Sequence, residues 1–262
     1  MNLGLEGKRA IVTGGSRGIG RCCALALARE KVKICITART QELLEKVKNE
    51  IDQAGGKGYL VVSDLTTLEG CQKVVEKTTE EFSSVDILIN CAGAAEGEDI
   101  LTLSAQKIDQ ALLLKSFGYL RMAQLVIPLM KKNKWGRIIN IAGGAGSSPD
   151  RSNMPLSISN ISVLNMTRAL SDAVSQDGIL VNTICPGLTN TQRARDLQKD
   201  RAIKEDRSIE DILKELGSKL PAGRLAEPEE VANVVTFLAS DACSYMFGSS
   251  LYMDGGGRRA TP

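Results

Sequence analysis

Ile11-Val12-Thr13-Gly14-Gly15-Ser16-Arg17-Gly18-Ile19-Gly20 is the stretch on which the reading of this chain turns. Ala10 to Val12 is a short apolar run with the look of a buried strand. Thr13 to Gly20 reads as a tight glycine-rich turn. From Gly18 onward the apolar residues Ile19, Cys23, Ala26 and Leu27 recur at helical spacing. Strand, glycine turn and helix in that order make a cradle for phosphate. Glycine lets the backbone turn sharply and approach a pyrophosphate, and a helix N-terminus offers free N–H groups and a partial positive charge. The candidate contacts are Gly14, Ser16, Arg17, Gly18, Ile19 and Gly20.

Outward from this turn, strand and helix patterns alternate. Strands are expected at 33–37, 59–63, 86–90, 136–141, 180–185 and 250–253. Helices are expected at 42–54, 67–82, 104–131, 157–175 and 227–240, with a Gly-, Ser- and Pro-rich loop over 142–155. Near-continuous apolar strands separated by helices require a parallel sheet covered on both faces. The expected architecture is α/β, a doubly wound parallel sheet (Rossmann fold) in three α/β/α layers, with residues 1–262 as a single domain. The stretch 193–219 carries eight basic and seven acidic residues and reads as a solvated helical lid, part of a small substrate lid near 190–220. On helix 157–175, Val163, Met166, Leu170 and Val174 are expected to face the sheet. Ile158, Ile161 and Leu164 form a second apolar face that calls for another partner.

Composition removes several classes of function. Net charge is +2 over 262 residues and aromatic residues are 3%, which supplies neither a basic field nor stacking platforms for nucleic acid. No run of eighteen apolar residues points to a membrane span. Histidine is absent, so Ser-His-Asp and Cys-His catalysis and histidine zinc sites are excluded, and no metal site is expected. The seven cysteines lack paired spacing, and residues 1–9 carry no apolar signal-peptide core. The expectation is a cytoplasmic protein with reduced, partly buried thiols.

Taken together, these motifs resemble the classical short-chain dehydrogenase/reductases over nearly the whole chain. Thr13–Gly20 is similar to the family's cofactor turn. Asp64-Leu65 matches its adenine contact, and Asn90-Cys91-Ala92-Gly93 resembles its Asn-Asn-Ala-Gly motif with Cys91 as a departure. Pro186-Gly187-Leu188-Thr189 corresponds to its nicotinamide-side loop, and 228–232 and 253–256 match its C-terminal pattern. The resemblance implies cofactor contacts at Asp64, Leu65, Asn90, Ala92, Gly93, Pro186, Gly187 and Thr189. In the family an Asp at the end of the second strand selects NAD. Here that end reads Thr37-Ala38-Arg39, so Arg39 with Arg17 resembles the pair that clamps the 2′-phosphate of NADP, and NADP is expected over NAD.

The resemblance fails at the family's chemistry, which rests on Asn, Ser, Tyr and Lys. Those four positions fall on Lys115, Gly143, Leu156 and Asn160. Leucine cannot transfer a proton, and an uncharged Asn160 cannot shift a neighbouring pKa. Loss of a general acid typically costs about 10²–10⁴ in rate. No catalytic residue is therefore assigned, and the expected function is a non-catalytic, dinucleotide-binding subunit. Heteromeric family members, 2-(hydroxybenzyl)succinyl-CoA dehydrogenase among them, pair such a subunit with an active one. The expected assembly is a hetero-tetramer with an intact relative, or else a homotetramer, through helices 104–131 and 157–175 and the last strand. The alternative is an active NADP-dependent oxidoreductase acting on a carbonyl, an alcohol or a 3-oxoacyl thioester with Lys115 as proton donor. Against that alternative, Lys115 is expected to be a displaced, salt-bridged lysine.

Overall fold

The computed structural model describes residues 2–93 and 97–259; Met1, 94–96 and 260–262, parts of the span expected as one domain, lie outside the described residues. Seven strands form one parallel sheet. They are β1 (Arg9–Thr13), β2 (Lys33–Ala38), β3 (Lys57–Val62), β4 (Ile87–Asn90), β5 (Gly136–Ile141), β6 (Ile179–Pro186) and β7 (Ser250–Met253). The order is β3-β2-β1-β4-β5-β6-β7. The order reverses between β1 and β4, and a crevice opens beyond the carboxyl ends of the strands at such a switch point. Arg9 fixes this junction: its Nε and Nη2 donate to the buried Asp86 carboxylate, each at 2.7 Å.

Helices α1 (Gly18–Arg29) and α2 (Gln41–Gln53) cover one face, and α3 (Leu68–Phe82) lies on the other. There follow α4 (Ala105–Ala111), a π-helical segment (Leu112–Phe117), α5 (Gly118–Asn133), α6 (Met154–Val174), three short helices α7 (Gln192–Leu197), α8 (Lys199–Glu205) and α9 (Ile209–Ser218), and α10 (Pro228–Leu238). Leu27, Leu44, Val47, Val231 and Val235 build the core on the α1, α2 and α10 side. Val74, Phe82, Met122, Val126 and Met130 build it on the α3 and α5 side.

Three expectations are corrected here. The helix expected over 104–131 is not one uniform α-helix, because residues 112–117 widen into a π turn. Helix α6 starts at Met154, not at residue 157, since Pro155 in the first turn needs no hydrogen bond from its nitrogen. Its buried stripe is Asn160, Val163, Thr167, Ser171 and Val174, whereas Met166 and Leu170 are only half-buried. Thr167 is drawn inward by polar partners, Asn140 and Thr183, that apolar periodicity cannot register. The helical run Ala105–Asn133 is, by length and composition, apolar enough to cross a membrane. Here it lies against the sheet, with Tyr119, Met122, Ala123, Val126 and Met130 buried.

Candidate active site

The glycine turn has the shape of a phosphate cradle. Gly14 has φ +64°, and a β-carbon on it would lie 2.9 Å from the Ala92 Cα. A β-carbon on Gly20 would strike the Gly14 carbonyl oxygen. Only glycine fits at either place. No side chain caps the N-terminus of α1, so its first N–H groups remain available. The Thr13 hydroxyl fastens the turn to the neighbouring motif, accepting from the N–H groups of Cys91 at 2.9 Å and Ala92 at 3.1 Å. Sequence reading missed this role of Thr13. A hydroxyl at the last residue of an apolar strand was the available signal.

The other expected cofactor residues gather around the same crevice. Arg17 and Arg39 are exposed at the ends of the turn and of β2, and Arg17 Nη1 lies 4.0 Å from Asp196 of the lid. Asp64 is exposed beyond β3, and Leu65 is buried beside it. Asn90 is buried, its Nδ2 donating to Asn140 Oδ1 at 2.9 Å. Asn140 Nδ2 donates to Thr167 Oγ1, and the Thr167 and Thr183 hydroxyls share a hydrogen bond. This polar row ties β4, β5, α6 and β6 together beneath the crevice. Beyond β6, Gly187 N–H donates to the Met253 carbonyl at 2.9 Å, and the buried Thr189 donates to the Gly187 carbonyl at 3.1 Å. Cleared backbone in the turn, an uncapped helix start and two exposed arginines fit a dinucleotide. Bound there, it would supply the hydride.

The positions expected for the family's tetrad lie on neighbouring elements: the π segment, the end of β5 and α6. Leu156 stands half-buried on α6, and no tyrosine lies on that helix. A β-carbon on Gly143 would meet Asn160 Nδ2 at 2.9 Å, so the Asn160 amide crowds the place a serine would need. Asn160 is buried, and its Oδ1 has no partner. Lys115 lies in the π segment, and its Nζ donates to the Ala142 carbonyl at the end of β5 at 2.9 Å. Such π turns are frequent at functional sites. The expected salt bridge is absent: among the described residues no carboxylate pairs with Lys115. Loss of water pushes its pKa down to about 8. The Arg193 guanidinium pushes the same way, and Cys91 and Cys185 oppose it. Burial holds the Cys91 thiol up at about 12 and the Cys185 thiol at about 11. Tyr119, four residues beyond Lys115, is no substitute acid. Its hydroxyl donates to the Ile141 carbonyl at 3.2 Å, and burial raises its pKa well above the usual range.

The family described as enoyl-(acyl carrier protein) reductase matches residues 14–257. The chain is 32% identical over 255 residues to the 3-oxoacyl-[acyl-carrier-protein] reductase FabG of Escherichia coli, covering 97% of this chain and 98% of that one. In structure it is similar to the L-sorbose reductase of Gluconobacter frateurii complexed with NADPH and L-sorbose, with TM-score 0.97, 29% identity and both chains fully covered. It is also similar to an actinorhodin polyketide ketoreductase with NADPH, with TM-score 0.90 and 27% identity over 95% of this chain and 96% of that one. By sequence, fold and crevice alike, the chain belongs to the short-chain dehydrogenase/reductase family of NAD(P)-dependent oxidoreductases.

Proposed function

We propose that this chain binds NADP(H) in its crevice and serves as a non-catalytic subunit beside a catalytically intact relative. The observation that carries this reading is Leu156, an aliphatic side chain at the position of the family's proton donor, with Gly143 and Asn160 at the serine and lysine positions. Without a hydroxyl on α6, a carbonyl oxygen gaining charge during hydride transfer would find no acid of the usual kind.

The roles of the chain's own residues in this reading are as follows. The turn at Gly14–Gly20 and the first N–H groups of α1 receive the pyrophosphate. Arg17 and Arg39 attract the 2′-phosphate, and Asp64, Leu65, Asn90, Ala92 and Gly93 line the adenosine side. Pro186, Gly187 and Thr189 line the nicotinamide side. NADPH-bound structural neighbours support NADP, and Arg39 in place of an acid favours it over NAD.

A partner is supported by the apolar face of the long helices. Leu113, Phe117 and Ile161 are 38%, 47% and 41% exposed in the lone chain, apolar side chains on the two helical runs that a partner would cover. The reading includes a hetero-tetramer, with a homotetramer as the competing assembly. The seven free cysteines suit a reducing cytoplasm. Native mass spectrometry of the protein from its own source tests the assembly: a second subunit carrying Tyr-x-x-x-Lys supports the proposal, and only this chain refutes it. Steady-state assay of the isolated chain with NADPH and 3-oxoacyl thioesters tests the chemistry. Turnover above about 1 s⁻¹, inside the ordinary enzyme range, would overturn it.

Lys115 favours a second reading. An ammonium that pairs with no carboxylate among the described residues, with its pKa near 8, can donate a proton at neutral pH, which suits an NADP-dependent oxidoreductase acting on a carbonyl, an alcohol or a 3-oxoacyl thioester. Turnover that Lys115→Met abolishes would establish it.

A further inference from the structure

Dinucleotide binding alone leaves Lys115 unexplained. Its side chain leaves the π segment and reaches the end of β5, where the Ala142 carbonyl is its hydrogen-bond acceptor. Among the described residues, four groups on the neighbouring elements face it. Cys91 follows β4 and Cys185 belongs to β6, and burial keeps both thiols protonated at neutral pH. Arg193 faces it from α7. Tyr119, on its own helical run, is engaged with the Ile141 carbonyl. A β-carbon on Gly93 would lie 4.0 Å from Nζ, and Gly93 is exposed at the crevice edge. A partly desolvated amine with, among the described residues, no carboxylate partner is an arrangement that favours lysine as a nucleophile.

We propose that Lys115 captures carbonyl compounds: its Nζ adds to the carbonyl carbon of a small ketone or aldehyde in the crevice and forms a covalent imine. The nitrogen lone pair makes the new C–N bond while the carbonyl π electrons move to oxygen, which takes up a proton lost from nitrogen. The carbinolamine then loses its C–O bond and the second nitrogen proton as water. The products are the imine and one water, and nothing is oxidised or reduced. The Ala142 carbonyl accepts an N–H from the ammonium and from the amine alike, so it holds the nitrogen in place through deprotonation.

With its pKa at about 8, about a tenth of Lys115 is free amine at pH 7, against about one part in three thousand for a lysine at 10.5. The inference does not rest on the cofactor reading, and its test contains no dinucleotide. The whole chain is incubated with acetone, reduced with borohydride and mapped by peptide mass spectrometry. The expected result is an isopropyl adduct on Lys115 at ten or more times the occupancy of any exposed lysine, with yield rising as pH passes 8. Lys115→Arg, which keeps the cation but forms no imine, should lose that adduct. The map of the unaltered chain decides without the variant. Adducts spread evenly over exposed lysines, or a bare Lys115 among labelled ones, would overturn the proposal.

Discussion

Asn160 and Gly143 are sterically matched: the amide of one stands where a β-carbon of the other would have to be, 2.9 Å from Nδ2. The two departures from the family's tetrad are therefore not independent. Gly143→Ser alone should destabilise the chain by about 1–3 kcal/mol, the usual cost of overpacking, because the added atoms meet the buried Asn160 amide. Combined with Asn160→Ala it should recover most of that loss. Urea unfolding of the two single variants and the double measures the coupling, and additive effects would show that the residues do not touch.

The proposed preference for NADP rests on Arg39. A charge-assisted hydrogen bond contributes roughly 1.5–3 kcal/mol. Arg39→Ala should accordingly weaken NADPH binding by about ten- to a hundredfold, at roughly 1.4 kcal/mol per decade, and leave NADH nearly unchanged. Titration calorimetry reads both. Equal loss for the two cofactors would place the 2′-phosphate elsewhere.

Thr13→Val keeps the shape of the strand end but removes the acceptor for two N–H groups, those of Cys91 and Ala92. A stranded buried donor costs about 1–3 kcal/mol. Both the melting temperature and the NADPH affinity should fall, because the motif 90–93 loses its fastening to the glycine turn. Thr13→Ser, which restores the hydroxyl, should recover both.

The layered fold was legible because its signals are local. Strands such as Ile87–Asn90 are continuous apolar runs, and the turn at Gly14–Gly20 announces itself by its glycines. The proposed loss of the proton donor rests on residue identity alone, Leu156 standing at the position expected for the family's tyrosine. Tertiary facts were not. The π turn at 112–117 that carries Lys115 has no periodicity to betray it. The inward stripe of α6 includes Thr167, which is drawn in by Asn140 across the sheet. Lys115 shows the limit most clearly. From sequence a displaced lysine implies a carboxylate partner, and only the folded chain shows that it faces a backbone carbonyl instead.

Lys115 should leave its mark on stability. Its folded pKa is about 8, below the ordinary 10.5, so between those values the unfolded chain holds a proton that the folded chain does not. Stability rises with pH wherever the unfolded state binds more protons. The penalty for burying the ammonium is therefore complete below about pH 8 and is relieved as pH climbs toward 10.5. Thiols with raised pKa values such as Cys91 slope the opposite way in alkali, since there the folded chain keeps protons that the unfolded one releases. The difference between the wild-type chain and Lys115→Met removes that shared background. Urea unfolding at pH 7, 8.5 and 9.5 should show Lys115→Met more stable than wild type at pH 7 and the gap closing by pH 9.5. A gap independent of pH would mean that the ammonium is solvated in the folded chain.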